Sequence, residues 1–552
     1  MTQTLAPPPP SSVSTSKSAV LGRSTSLPVP PVSLQYDARS AKTMWLPRVR
    51  NVQFEMTRSH CTFVQTRPLR ANSMGGNTSG SLSNAATTRV ELVWQDVLGA
   101  HVLTEDGEHL VHPVDLTTVN NDKTFVLALF AFPVKHAKPD KLKKRDLREW
   151  LFRFPGRDME AALTLVTWIN FMADPRSYKF LADAQSLEDI TPVELPRRRF
   201  LVIINPVGGA GKGVQTFETR VAPIFKFANI DAEVKLTERA HHGTEIAKTL
   251  PLDTYDCVIA VGGDGSLAEI FQGLMGRPDW KDAIRQPIGI VPGGSGNGLF
   301  ASIMHDIGER FRPRNAAFVL AKGVPQPLDI TAVRNPHGDC MYSFLSTEWA
   351  LIADVDVESE KLRALGGARF TVTTLQHIFM RNKVYEGTVW YLEESDSSFT
   401  PTSHEPSESL DRIGFDLLPA DMQDGVEVSD GSQARWRKVQ GSFHLVWTMN
   451  VTHAALDAQM APGAGLNDGF NYLILVDGSR PRKDLLSLFL VLENGGHVER
   501  DMVRFIKTRA YKIVPSRDDD LICVDGEVFR GPVEAQVHHS VARILTLPNA
   551  SL

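Results

Sequence analysis

The chain has 552 residues, 42% hydrophobic and 22% charged, proportions that let most of it bury a core and that exclude collagen-like, wholly disordered and disulfide-scaffold proteins. Lys and Arg number 59 against 64 Asp and Glu, a formal net charge of -5, so there is no global basic field to hold nucleic acid and no nucleic-acid partner is expected. No apolar run reaches the roughly 18 to 20 residues of a membrane span, and Cys61, Cys257, Cys340 and Cys523 lack CxxC or zinc-ligand spacing, which fits a cytoplasmic protein with reduced thiols.

Residues 1–85 are rich in Pro, Ser and Thr and include the run Pro7 to Pro10, a composition expected to give a disordered tail, with Cys61 a candidate for lipid attachment. Residues 86–190 carry β-like runs at Val90 to Leu98, Thr124 to Phe132 and Trp150 to Phe154, followed by a helical stretch from Met159 to Met172. Several strands closed by one helix suggest a small PH-like (pleckstrin-homology) region, a resemblance of architecture alone. Between two of its strands lies the cluster Lys135, Lys138, Lys141, Lys143, Lys144, Arg145 and Arg148. It reads either as a patch for anionic lipids at a peripheral membrane surface or as a solvated loop.

Residues 196–332 alternate strands and helices regularly: Phe200 to Asn205, Asp231 to Thr237, Asp256 to Val261 and Ile288 to Val291 read as strands, with helices between, the first from Val214 to Phe227. That spacing predicts a three-layer α/β domain with a mainly parallel sheet, whose ligands bind at the carboxyl ends of the strands. Residues 333–552 are mainly β, sandwich-like, with one helical stretch from Glu358 into the region of Ile378 and a polar, acidic surface insertion over 393–439.

Three glycine loops follow those strands: Asn205-Pro206-Val207-Gly208-Gly209-Ala210-Gly211-Lys212, Gly262-Gly263-Asp264-Gly265 and Pro292-Gly293-Gly294-Ser295-Gly296-Asn297. Each opens a helix, so backbone N–H groups converge as they do around phosphate, although none matches a P-loop. Asp264 would repel a polyphosphate unless it served the chemistry, either by holding Mg²⁺ or by taking a proton from an attacking hydroxyl.

The loops together resemble the catalytic domain of the diacylglycerol kinase superfamily. More specific is Leu345-Ser346-Thr347-Glu348-Trp349-Ala350-Leu351-Ile352-Ala353-Asp354-Val355-Asp356-Val357-Glu358-Ser359-Glu360-Lys361, which with Val524-Asp525-Gly526-Glu527 resembles the sphingosine (sphingoid long-chain base) kinase branch. The resemblance implies a kinase that uses ATP and Mg²⁺ to phosphorylate the primary hydroxyl of a sphingoid base, with a nucleotide domain followed by a lipid-binding domain. It implies Asp264 as catalytic base. It implies nucleotide contacts at Asn205, Pro206, Gly208, Gly209, Thr237, Gly262, Gly263, Gly265, Glu269, Gly294, Ser295, Gly296, Asn297, Arg363, Arg369, Asp525, Gly526 and Glu527. Ser346 and Asp356 would hold the lipid head, and Ile352, Val355, Phe370, Phe489 and His497 would line the lipid channel. Metal ligands stay open, with Asp264 and Glu527 as candidates. A carboxylate at Asp356 suits a cationic amine, which ceramide and diacylglycerol lack. A ceramide or diacylglycerol kinase, or an inactive lipid-binding scaffold, are the alternatives. Glu348, where small apolar residues are usual in the family, is a departure.

Overall fold

Four runs rich in Val, Ile and Leu become parallel strands in the computed structural model, which describes residues 27–28, 34–37, 51–52, 54–66, 87–110, 114–136, 141–183, 187–359, 361–362, 368–380, 383–394, 414–419, 422–428 and 434–548. Their order is Ile230–Leu236, Arg198–Ile204, Cys257–Gly262, Ile288–Pro292, with Ile230–Leu236 on an exposed edge. The three inner strands are almost wholly buried, as continuous apolar strands must be, under helices that include Asp264–Met275, Gly298–Asp306 and Pro313–Lys322. The helix expected over Val214 to Phe227 forms in three pieces, Gly213–Thr216, Phe217–Val221 and Ala222–Phe227, the middle one a wider π-type turn. Pro223 has no N–H for the turn before it, which accounts for the irregularity.

The sheet does not stop near residue 332. Val533–Thr546 lies parallel to Ile288–Pro292, with Ile288 opposite Ile544, and antiparallel to Val324–Arg334. From there it continues through Ala510–Pro515, Tyr385–Glu393, Arg435–Met449, Ser346–Ala350 and Ile522–Val524 to Glu527–Val528. One mixed sheet of 15 strands serves both halves, and the expected boundary between them is a change of strand direction, not a gap.

Three expectations need correction. The helix expected from Glu358 begins earlier, as Leu351–Ser359, and resumes as Ala368–Met380. Ser346–Ala350 runs directly into it, and Ala350 makes the corner in the left-handed region at φ 72. The insertion is also narrower than 393–439 and not wholly on the surface. Leu418, Ala434 and Trp436 share a small core with Leu392 and Ala510, and Gln536 ties in residues 416–417 by accepting from Leu417 N at 2.9 Å and donating to Asp416 Oδ1 at 2.6 Å. Finally, part of residues 1–85 is built into sheets. Phe54–Met56 pairs with His60–Thr66, which pairs with Thr87–Val93, while Leu34–Asp37 pairs with Arg148–Pro155. Phe54, Met56, Cys61 and Phe63 alternate inward, and burial pushes the Cys61 thiol up to about 12, so it is no exposed nucleophile for lipid attachment.

This N-terminal region is fastened to the parallel-sheet half by polar contacts as well as packing. Helix Met159–Ala173 is pinned to Val97–Thr104 by Asn170, which accepts from Ala100 N at 2.7 Å and donates to Ala100 O at 3.0 Å. Phe130 stacks on Phe227 with centroids 4.0 Å apart. Arg145 donates to Glu309 at 2.8 Å and to Asp96, and Lys143 lies 3.9 Å from the same buried Glu309. Arg145 is therefore internal, whereas the Lys143 side chain stays 43% exposed. Lys138 falls outside the described residues, and Lys135, Lys141, Lys144 and Arg148 are exposed. Buried Lys322 donates to the carbonyls of Trp94, Val97 and Ala173. Lys322→Met is expected to lower stability by about 2 kcal/mol, since three buried acceptors lose their donor. Thermal unfolding would register this as a clear drop in midpoint, and an unchanged midpoint would count against the role.

Candidate active site

The three glycine loops meet backbone to backbone. Gly293 N donates to Gly262 O at 2.8 Å, and Asn205 N donates to Val261 O at 3.2 Å. Gly209, at φ 54, comes so close that a Cβ there would lie 2.2 Å from Gly293 O, and one on Gly294 would lie 2.3 Å from Gly263 Cα. Asn205 Oδ1 accepts from Val207 N at 3.1 Å. Asn297, in the left-handed region at φ 64, accepts from Gly294 N at 3.1 Å and donates to Gly294 O at 2.8 Å. Asn205, Pro206, Gly208, Gly209, Gly262, Gly263, Gly265, Gly294, Ser295, Gly296 and Asn297 thus gather at the ends of adjacent parallel strands, where α/β sheets hold ligands. Thr237 joins them, its N–H donating to Ile204 O at 2.9 Å.

Asp264 opens its helix between these loops and is 8% exposed. Its Oδ2 accepts from Gly298 N at 2.7 Å and its Oδ1 from Leu299 N at 3.2 Å, both in the first turn of Gly298–Asp306. Burial pushes this carboxyl above its ordinary value, while the N–H groups of Gly298, Leu299 and Asn297 pull it back. Each oxygen keeps a further lone pair for a substrate proton.

The same helix reaches the second half of the site. Gln272 donates to Tyr342 O at 2.8 Å and accepts from Tyr342 N at 3.2 Å, and Phe271 packs on Phe344 with centroids 5.3 Å apart. A Cβ on Gly298 would lie 2.7 Å from Leu345 Cδ1. Neither Gln272 nor Gly298 stands out in the sequence as a functional residue; a lone amide on an apolar helix is the only sign.

Asp525 organises the turn that follows. Its carboxylate accepts from Ser343 Oγ at 2.6 Å and from the N–H groups of Phe344 at 3.1 Å, Leu345 at 3.1 Å and Ser346 at 2.9 Å. Burial nonetheless pushes it up to about 6. Asp525, expected among the nucleotide contacts, shapes Ser343–Ser346. Gly526, at φ 85, brings this turn under Asp356: a Cβ on it would lie 3.5 Å from Asp356 Oδ2. Ser346 Oγ donates to Glu348 Oε1 at 3.0 Å, and burial, with Asp356 and Asp525 nearby, pushes Glu348 well above its ordinary range. Ser346, Glu348, Asp356, Asp525 and Gly526 are therefore neighbours.

Several of the remaining candidates lie on elements that pack in succession: Leu351–Ser359 on Ala368–Met380, that helix on Arg482–Phe489, and Arg482–Phe489 on Gly496–Glu499. Glu269 accepts from His241 N at 3.0 Å and Gly243 N at 2.8 Å, so it holds the start of His242–Lys248. Ile352 and Val355 are buried on Leu351–Ser359, Phe489 is half-buried at the end of Arg482–Phe489, and buried His497 lies 2.9 Å from Met460 O through Nε2. Arg369 is buried near the start of Ala368–Met380. Arg363 and the Phe370 side chain fall outside the described residues. Glu527 is exposed. Among the described residues no three His, Cys, Asp or Glu side chains converge on a cation position, and no helix is long and apolar enough to cross a membrane.

Loops arranged in this way on a parallel sheet define a catalytic domain of the diacylglycerol kinase class, and the family model described as the Diacylglycerol kinase catalytic domain matches residues 199–333. The similarity to whole proteins is narrower. Sphingosine kinase 1 of Mus musculus is 34% identical over 362 residues, 63% of this chain and 92% of that protein. Sphingosine kinase 1 of Arabidopsis thaliana is 33% identical over 338 residues, 60% of this chain and 68% of the relative. Sphingoid long chain base kinase 4 of Schizosaccharomyces pombe is 29% identical over 365 residues, 66% and 77% respectively. The chain belongs to the sphingosine kinase family.

Proposed function

We propose that the enzyme transfers the γ-phosphate of ATP to the primary hydroxyl of a sphingoid base, giving the base 1-phosphate. The observation that carries this reading is the placement of one buried carboxylate, Asp264, between the glycine loops and the Ser346 turn. Convergent backbone N–H groups of the loops bind the phosphates. Asp264, raised by burial toward the working pH, takes the proton of the attacking hydroxyl. Asp356, half-buried over Gly526, receives the cationic amine, a charge pairing that a neutral head group cannot make. Mg²⁺ carried by the nucleotide would offset charge on the transferring phosphoryl group. For holding that ion the candidates are the exposed Glu527 and Asp264, each of whose oxygens accepts one backbone N–H and keeps a further lone pair.

The substrate lives in a bilayer, so the enzyme works as a peripheral protein from the cytoplasmic side. Lys135, Lys141, Lys144 and Arg148 are the exposed cations of the basic cluster that suit anionic headgroups. The test is transfer from labelled ATP to sphingosine, ceramide and diacylglycerol side by side. Transfer to the free base is expected, with a loss of about a hundredfold in kcat/KM for Asp356→Ala; predominant transfer to ceramide or diacylglycerol would overturn the amine assignment.

A further inference from the structure

The head-group face has more hydrogen-bonding capacity than an amine and one hydroxyl use. Ser346 and Glu348 are two residues apart on one strand and point to the same side of the sheet. Thr347 points to the other side, where Tyr511 Oη donates to its Oγ1 at 2.7 Å. Across the strand pair Glu348 stands opposite Trp447, and directly opposed residues share a face. Trp447 is 7% exposed, and its indole Nε1–H has no acceptor among the described residues. Glu348, also 7% exposed, has Ser346 Oγ as its hydrogen-bond partner among them, at one oxygen only. A buried donor without an acceptor thus sits beside a buried carboxyl with an oxygen to spare.

We propose that Glu348 and Trp447 form a subsite for an additional hydroxyl of the lipid head, so that the enzyme prefers long-chain bases carrying one hydroxyl beyond that next to the amine. The inference rests on the kinase reading above and deepens it. A hydroxyl both donates and accepts, so its proton meets the spare Glu348 oxygen and its oxygen takes the Trp447 N–H. Asp356 serves the amine. Ser346 has one proton, already given to Glu348, and accepts from the hydroxyl next to the amine. The Glu348 and Trp447 pair is left for a hydroxyl one carbon further along the chain.

The test compares kcat/KM for 4-hydroxysphinganine and sphinganine, which differ by that hydroxyl, in identical detergent micelles with wild type, Glu348→Ala and Trp447→Phe. The wild-type ratio should be about ten or more, because a site built for a hydroxyl is left with unpaired polar groups by the substrate lacking it. Glu348→Ala should bring the ratio near one, with Trp447→Phe in between. A purely structural role would lower both rates together and leave the ratio unmoved, which would sink the subsite. A wild-type ratio near one would overturn it without any variant. Transfer to neither base would instead defeat the kinase reading on which it stands.

Discussion

Asp264→Asn is expected to slow phosphate transfer by about a thousandfold while nucleotide binding stays close to that of wild type. The amide has the carboxylate's shape and can still accept from Gly298 or Leu299 N–H, so the contact between the two helix starts is weakened and not abolished. What it cannot do is take a proton. Because burial raises Asp264 above its ordinary value of 3.8, wild-type activity should also fall on the acid side at a pH above the usual carboxylate range, as protonation removes the base. Single-turnover transfer, with nucleotide titration as the control for folding, separates the two effects. A variant within tenfold of wild type would show that another group accepts the proton.

The second large effect is on stability. Asp525→Ala removes the shared acceptor of Ser343 Oγ and three backbone N–H groups, all buried, and is expected to cost about 4 kcal/mol. The turn that places Ser346 under Asp356 would go with it, so activity should fall as well. Titration gives a finer readout. The folded-state value of about 6 lies above the ordinary 3.8, so the folded protein holds this proton where the unfolded chain has released it. The stabilisation linked to that proton is complete below about pH 4 and is lost as pH rises through about 6. The stability gap between wild type and Asp525→Asn, which cannot titrate, should narrow over that window in denaturant unfolding. A constant gap would mean that the carboxyl does not titrate there.

How much of this could be read from the sequence depends on the distance between partners. The parallel strands and their loops were legible because hydrophobic runs and glycines mark them locally, and Asp264 because a carboxylate among phosphate-type loops needs a reason. Ser346 and Asp356 came from family resemblance, and the fold adds why they meet: Gly526 leaves room beneath Asp356. The roles of Asp525 and Glu269 were not legible. Asp525 serves N–H groups about 180 residues earlier in the chain, and no local pattern reports such a pairing. Glu269 was expected near the nucleotide, and what the sequence did not show is that its carboxylate completes a helix start 26 residues before it. The same holds for Lys143 and Arg145, whose shared acid lies 164 residues beyond Arg145, so that a cluster judged by composition looked wholly exposed. In residues 54–63 the inward alternation of Phe54, Met56, Cys61 and Phe63 is too short to stand out against a Pro/Ser/Thr-rich background.

Val533–Thr546, which joins Ile288–Pro292 to Val324–Arg334 and the rest of the sheet, is also made long after every glycine loop. During synthesis the nucleotide half waits with an unpaired edge although every one of its loops has already emerged, and unpaired edges invite wrong partners. The two halves can complete their shared sheet only once this strand has been made. A chain cut just before this strand would keep each glycine loop and Asp264 and still lack the seam that lets them become an enzyme.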